Sequence, residues 1–116
     1  MIDRFKETVN YFPDLVAVIE HLEFFQKEGV SKLKAKLRLF DGTILWVREI
    51  WIKDSMEAYS YYWLRSDETI IMGWDNAPHH KKIKTYPHHR HIGDKVEPST
   101  KNSLQNVLIF VENFLG

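Results

Sequence analysis

A nine-residue alternation of apolar and cationic side chains constrains the fold more strongly than any other feature of this chain. Along residues 32–40, one side of the pattern is apolar and the other is basic. The apolar members are Leu33, Ala35, Leu37 and Leu39, and the basic members are Lys32, Lys34, Lys36 and Arg38. Because successive side chains of a β-strand point to opposite faces, this period of two predicts a half-buried strand with its basic side in solvent. The Asp41-Gly42 pair that follows predicts a two-residue hairpin turn.

Patterns before this strand predict a helix and a hairpin partner. Residues 2–11 have helical spacing, and the helix ends at Phe12-Pro13 because proline disfavours helical geometry in the residue before it. Residues 14–26 fit either a helix or a strand. We favour a strand, because the next strand follows directly after Glu28-Gly29.

The remaining patterns complete an antiparallel sheet. Strands are predicted at residues 43–53, 58–65 and 69–74, and a C-terminal helix begins after Ser103 as its N-cap. Residues 75–100 contain three of the four prolines and no sustained period, which predicts a long, ordered loop. The expected fold is therefore α+β: one domain, residues 1–116, with a meander of about five antiparallel strands and a helix at each end.

Composition narrows the class of protein. Sixteen basic residues balance sixteen acidic ones, so net charge favours neither a nucleic acid nor a membrane as partner. The chain has no cysteine, which excludes disulfides and thiolate metal sites and favours the reducing cytoplasm. No run of about 18 apolar residues is present, and the N-terminal residues are charged, so we expect neither a membrane span nor a signal peptide.

The predicted loop concentrates the histidines. Five of the six fall within thirteen residues, where an even spread would place fewer than one: His79, His80, His88, His89 and His91. No acidic residue occurs between Asp75 and Asp94, whereas Lys81, Lys82, Lys84 and Arg90 do. A cationic, histidine-rich stretch in a neutral protein indicates a surface that faces an anion. The lone His21, in contrast, is expected to be structural.

Two interpretations of these histidines need no proton transfer. Loop imidazoles beside proline often serve only as hydrogen-bonding supports for an irregular backbone. Alternatively they bind a metal ion: His89 and His91 would project to the same side of an extended segment, and Asp75 could add a carboxylate. No established metal spacing such as HExxH occurs, however, and we expect no cofactor.

The third interpretation is metal-independent acid–base chemistry on an RNA phosphodiester. His79 or His80 would then work with His88, His89 or His91 as the proton-transfer pair, while Asp75 or Asn76 orients an imidazole. The side chains expected to hold phosphate are Lys81, Lys82, Lys84, Arg90, Lys34, Lys36 and Arg38. Trp74 and Tyr86 would stack on unpaired bases.

Two segments, WDNAPHH at residues 74–80 and PHHRH at residues 87–91, resemble the signature of the TumE family when taken with Pro98-Ser99. Upstream, Asp41-Gly42 and the aromatic strand with Tyr61 and Trp63 also resemble the family's order of elements. The resemblance implies a toxin of a toxin–antitoxin system, paired with a separate antitoxin that is commonly a helix-turn-helix protein. It also implies a larger, often basic residue at the position of Gly73, and hence one phosphate contact missing here. It implies no catalytic mechanism.

Together these patterns predict a cytoplasmic toxin that is, as a hypothesis, a metal-independent ribonuclease. The alternatives are a non-catalytic module that binds nucleic acid or protein, and a metal-dependent hydrolase with histidine ligands. An antitoxin is the expected partner, RNA is a candidate partner, and the oligomeric state stays open, with a homodimer among the options.

Overall fold

The computed structural model describes residues 1–116 and contains two helices and seven strands. In chain order these are α1 (Ile2–Asn10), β1 (Val16–Lys27), β2 (Val30–Leu39), β3 (Ile44–Ile52), β4 (Ser55–Leu64), β5 (Ile70–Asp75), β6 (His89–Ile92), β7 (Lys95–Pro98) and α2 (Leu104–Leu115). The strands form one sheet in the order β1 to β7, and every neighbouring pair is antiparallel. The predicted α+β meander with a helix at each end is confirmed.

Both helices contribute to a core on one face of the sheet. The helical core residues include Phe5, Val9, Val107, Leu108 and Val111, and the strand core residues include Leu33, Ala35, Leu37, Val47, Tyr61, Trp63, Met72 and Trp74. These strand residues occupy alternate positions, as the sequence pattern of β2 predicts. Neither helix is both long and apolar enough to cross a membrane.

The other strand positions form the opposite face, which we call the open face. Two rows of register partners cross it. One row consists of Lys34, Arg48, Ser60, Asp75 and His89, and the next consists of Lys36, Trp46, Tyr62, Gly73 and His91. The basic side of β2 and the histidines of β6 therefore lie on the same face of the sheet.

The predicted histidine-rich loop is present at residues 76–88 but is shorter than predicted, because β6 and β7 occupy eight of residues 75–100. The sheet accordingly has seven strands rather than about five. Each of these two strands is only four residues long, and β6 contains two histidines and one arginine. Segments of this composition lack the alternation of apolar and polar residues from which a strand is predicted. The irregular part is residues 76–88, which we call the connecting segment.

Two predicted turns also differ in detail. The turn at Asp41-Gly42 has three residues rather than two: Leu39 N donates to Thr43 O, and Gly42 N donates to Leu39 O. Gly42 has a φ of 91°, so this is a tight turn followed by a left-handed glycine, a common three-residue hairpin. The connection between the strands predicted at 43–53 and 58–65 is also shorter than expected, because β4 already begins at Ser55.

Two other predictions are confirmed. Residues 16–27 form a strand, β1, which pairs along its length with β2. Ser103 is the N-cap of α2, where its side chain accepts a hydrogen bond of 3.2 Å from Asn106 N. This bond satisfies one of the free amides of the first helical turn.

Candidate functional site

Three imidazoles meet on the open face. His89 and His91 project from alternate positions of β6, and His80 reaches them from the connecting segment. One ring nitrogen from each residue lies within 4.8 Å of the others. The ring centroids are 4.8 Å apart for His80 and His89, and 4.9 Å for His89 and His91. We call these three residues the histidine cluster.

A buried carboxylate contacts two of the three imidazoles of the cluster. Asp75 is only 6% exposed and is the register partner of His89 on β5. Its Oδ1 lies 2.9 Å from His89 Nε2, and its Oδ2 lies 3.3 Å from His91 Nε2. Ala77 N also donates to Oδ1, and the Tyr62 hydroxyl donates to Oδ2 at 2.7 Å. Burial of a carboxylate is costly unless it is paired, and these four contacts pair it.

His89 is fixed by both of its ring nitrogens. Nδ1 lies 2.9 Å from Pro87 O, and because a carbonyl oxygen only accepts hydrogen bonds, Nδ1 carries a proton. Its other ring nitrogen, Nε2, points toward Asp75 Oδ1. The residue is 2% exposed, so its ring is shielded from bulk solvent and cannot reach a polymeric substrate without passing its neighbours.

The environment shifts the pKa of several groups at the site. Burial lowers the pKa of the His91 imidazole, although Asp75 acts in the opposite direction, and the neutral ring is therefore favoured. Burial, followed by the adjacent Asp75 carboxylate, raises the pKa of the Tyr62 hydroxyl. Tyr62 therefore stays protonated and keeps donating to Asp75.

Gly73 creates the space in which Tyr62 reaches the carboxylate. The two residues are cross-strand partners, and a Cβ at position 73 would lie 2.3 Å from Tyr62 Cε1. The aromatic ring thus lies directly over the glycine, as aromatic residues do when they cover a glycine in a sheet. Its centroid is 5.9 Å from that of His91. The larger side chain implied at position 73 is excluded here by the ring of Tyr62.

The histidine cluster lies in a cleft of about 840 Å³ on the open face. Its other lining residues include Arg48, Glu57, His79 and Tyr86. Arg48 is exposed and is separated from Asp75 by one strand, so it gives the cleft a cation that the sequence did not indicate. The cleft is open to solvent and large enough for a small ligand or for part of a polymer.

The structure leaves His88 and Asn76 outside both the histidine cluster and its hydrogen bonds. His88 Nδ1 lies 2.9 Å from the Tyr59 hydroxyl, and the two rings are stacked. Asn76 does not orient an imidazole: its Oδ1 accepts from Tyr59 N, and its Nδ2 donates to Glu57 O. Both residues attach the connecting segment to β4. His79 and Tyr86 line the cleft and are exposed.

The predicted cations fall into three groups. Lys81, Lys82 and Lys84 are exposed on the connecting segment and form no ion pair. Arg90, which alternates with the cluster histidines, donates from Nε and Nη2 to Glu97 Oε2. It therefore points away from the cleft and is already paired.

The basic residues of β2 lie on the open face, as predicted, but an acidic neighbour partly neutralises them. Glu20 of β1 accepts from Arg38 and lies 3.7 Å from the Lys36 ammonium. Lys34 and Lys36 also stand over the ring of Trp46, at 5.4 and 5.8 Å from its centroid. Nearby, His21 contacts Glu23 at the surface. This area is thus a mixed surface of charges and one aromatic ring.

Trp74 cannot stack on a base as predicted. It is 3% exposed and packs edge-on against Phe110 of α2, with the ring centroids 5.4 Å apart. Strand alternation places it in the core while its neighbours Gly73 and Asp75 lie on the open face.

Tyr62 is the aromatic residue of the site that sequence reasoning missed. A glycine inside a predicted strand signals close approach of another group, but the sequence does not identify that group.

A family model described as Toxin TumE matches residues 6–115 of the chain. No curated protein and no solved structure matches it. The residues that converge in the cleft, from Asp75 to His91, all lie within the matched range.

Proposed function

The chain belongs to the TumE toxin family, and on that premise we propose that it is a ribonuclease whose histidine cluster transfers protons at an RNA phosphodiester. One observation carries the proposal. Imidazoles from separate parts of the chain converge in an open cleft, and two of them contact a buried, hydrogen-bonded carboxylate. Proton transfer requires ionisable groups held within reach of one reacting centre, and this arrangement supplies them.

The proposed reaction uses His80 and His91 as the proton-transfer pair. Their ring centroids are 5.8 Å apart, and neither ring is fully buried. One imidazole accepts the proton of a 2′-hydroxyl while the 2′-oxygen forms a bond to phosphorus. The bond from phosphorus to the 5′-oxygen breaks, and the other imidazole protonates that oxygen. The products are a 2′,3′-cyclic phosphate and a 5′-hydroxyl.

The remaining residues hold this pair and the substrate. His89 and Asp75 are positioning residues, because His89 is buried and Asp75 contacts Nε2 of both His89 and His91. Arg48 and the exposed lysines of the connecting segment would stabilise the phosphate. Tyr86, 42% exposed at the cleft, is the aromatic residue available to stack on an unpaired base.

As the toxin component, the chain has a cognate antitoxin. We propose that this antitoxin is a helix-turn-helix protein and that the toxin acts in the cytoplasm. The cysteine-free composition supports that compartment.

The test is cleavage of single-stranded RNA by purified protein in metal-free buffer containing a chelator. We expect cyclic-phosphate ends, and we expect His80→Ala and His91→Ala to reduce the rate by about 100-fold or more. His21→Ala is the matched control, since that residue lies at the surface beside Glu23 and does not line the cleft.

The proposal fails if the purified protein cleaves no RNA under any condition and the His→Ala variants remain as toxic in cells as the parent. RNA that binds without being cleaved would instead indicate a non-catalytic nucleic-acid-binding module.

A further inference from the structure

We infer that the histidine cluster is also a binding site for a divalent transition-metal ion of the zinc class. The proposed ligands are His80, His89 and His91, with Asp75 as the adjacent carboxylate. The inference stands on the geometry of these four residues and does not rest on RNA cleavage.

The ligand atoms face one small volume. Nε2 of His89 and Nε2 of His91 each lie against one oxygen of the same Asp75 carboxylate, at 2.9 and 3.3 Å. The ring of His80 stands edge-on to both of the other rings. Three imidazoles and a carboxylate form a donor set typical of zinc sites in proteins.

The hydrogen bonds around the cluster are those that prepare residues for metal binding. Histidine ligands generally donate their second ring N–H to a carbonyl or carboxylate, which fixes both the tautomer and the ring orientation. His89 does so: Nδ1 donates to Pro87 O and leaves Nε2 as the ligand atom. The carboxylate is held in the same way by the Tyr62 hydroxyl and Ala77 N.

Closure of the site would fall mainly on His80. Two nitrogens bound to one zinc at about 2.0–2.1 Å lie roughly 3.3 Å apart in a tetrahedral site. The present separations extend to 4.8 Å. His89 and His91 are fixed by strand pairing between β5 and β6, whereas His80 belongs to the irregular connecting segment. Binding should therefore draw in His80 and protect the connecting segment.

The donors also select the class of ion. Nitrogen and oxygen donors without thiolate disfavour Cu(I) and suit Zn²⁺, with Co²⁺ as a spectroscopic substitute. The ion has an entry path, because the side chain of His91 is 23% exposed at the cleft. A coordinated nitrogen cannot transfer a proton, so Zn²⁺ bound here would inhibit the metal-independent cleavage proposed above.

The test is titration of tag-free, metal-stripped protein with Co²⁺, followed by displacement with Zn²⁺. We expect visible absorption bands of a low-symmetry cobalt site that saturate at one equivalent and disappear as zinc is added. His80→Ala and His91→Ala should weaken binding about 100-fold or more. Tyr62→Phe removes only the hydroxyl that donates a hydrogen bond to the Asp75 carboxylate, and it should weaken metal binding about 10-fold. His21→Ala is the control and should bind as the parent does.

A second readout follows the connecting segment. Zn²⁺ should slow hydrogen exchange or proteolysis within residues 76–88 of the parent, but not of His80→Ala. Absence of saturable binding overturns the inference, and so does binding that His80→Ala and His91→Ala leave unchanged. Both readouts use protein without RNA, so a protein that lacks nuclease activity would still give a clear result for the metal.

Discussion

Gly73→Ala tests the arrangement at the base of the cleft with the smallest change available. The added Cβ would lie 2.3 Å from Tyr62 Cε1 and 2.5 Å from Cδ1, which is more than 1 Å inside ordinary carbon contact of about 3.5–4.0 Å. The ring must therefore move by about 1 Å or more. Its hydroxyl, now 2.7 Å from Asp75 Oδ2, would leave hydrogen-bond range.

The expected cost combines two effects. Loss of a hydrogen bond to a charged, buried acceptor costs about 1.5–3 kcal/mol, and overpacking adds about 1–3 kcal/mol. We therefore expect Gly73→Ala to lower the free energy of unfolding by about 2.5–6 kcal/mol, and RNA cleavage to fall with it. Urea denaturation measures the free energy of unfolding. Ser60→Ala, at a neighbouring open-face position, should change stability by no more than about 0.5 kcal/mol.

A double-mutant cycle separates this explanation from a general intolerance of side chains at position 73. In a Tyr62→Ala background the ring is absent, so the added methyl group of Gly73→Ala should cost little. The two substitutions would then be strongly non-additive. Equal costs of Gly73→Ala in both backgrounds would refute the reasoning.

Three further substitutions probe separate contacts. Asp75→Asn removes a buried carboxylate that accepts hydrogen bonds from the Tyr62 hydroxyl and Ala77 N, and denaturant unfolding should show a loss of about 1.5–3 kcal/mol, as for other hydrogen bonds to charged groups; unchanged stability would argue against a charged acceptor at this position. His88→Ala should cost about 1 kcal/mol through its lost hydrogen bond and leave the cleavage rate within twofold of the parent, whereas a large fall in rate would place it in the site. Arg48→Ala should weaken RNA binding. A plot of the logarithm of the RNA association constant against the logarithm of the salt concentration should become shallower by about one unit of slope, and an unchanged slope would mean that this cation contacts no phosphate.

Strands that are buried on one face could be predicted from the sequence, and strands without an apolar side could not. β2 alternates between core and solvent at every position, so its pattern is complete within one element. β6 and β7 are held mainly by backbone pairing with their neighbours, and their side chains are mostly polar. Their strand character depends on contacts outside the segment, which local patterns do not record.

In the candidate site, too, the contacts within one strand could be predicted from the sequence, and those that depend on the path of other segments could not. That His89 and His91 share a side follows from their spacing alone, and the register of β5 and β6 then places Asp75 beneath them. The approach of His80 depends on how thirteen irregular residues turn back over the sheet, and no periodic pattern encodes that path. The partnership of Tyr62 with Gly73 depends on the register of β4 and β5, which is a tertiary property.

The most direct measurement of the central claim compares the parent, His80→Ala and His88→Ala on one labelled single-stranded RNA, with all metal removed. The parent and His88→Ala should cut at similar rates and leave cyclic-phosphate ends, while His80→Ala should be slower by about 100-fold or more. Equal rates for all three proteins, or cleavage by the parent that appears only after a metal is added, would contradict proton transfer by the histidine cluster.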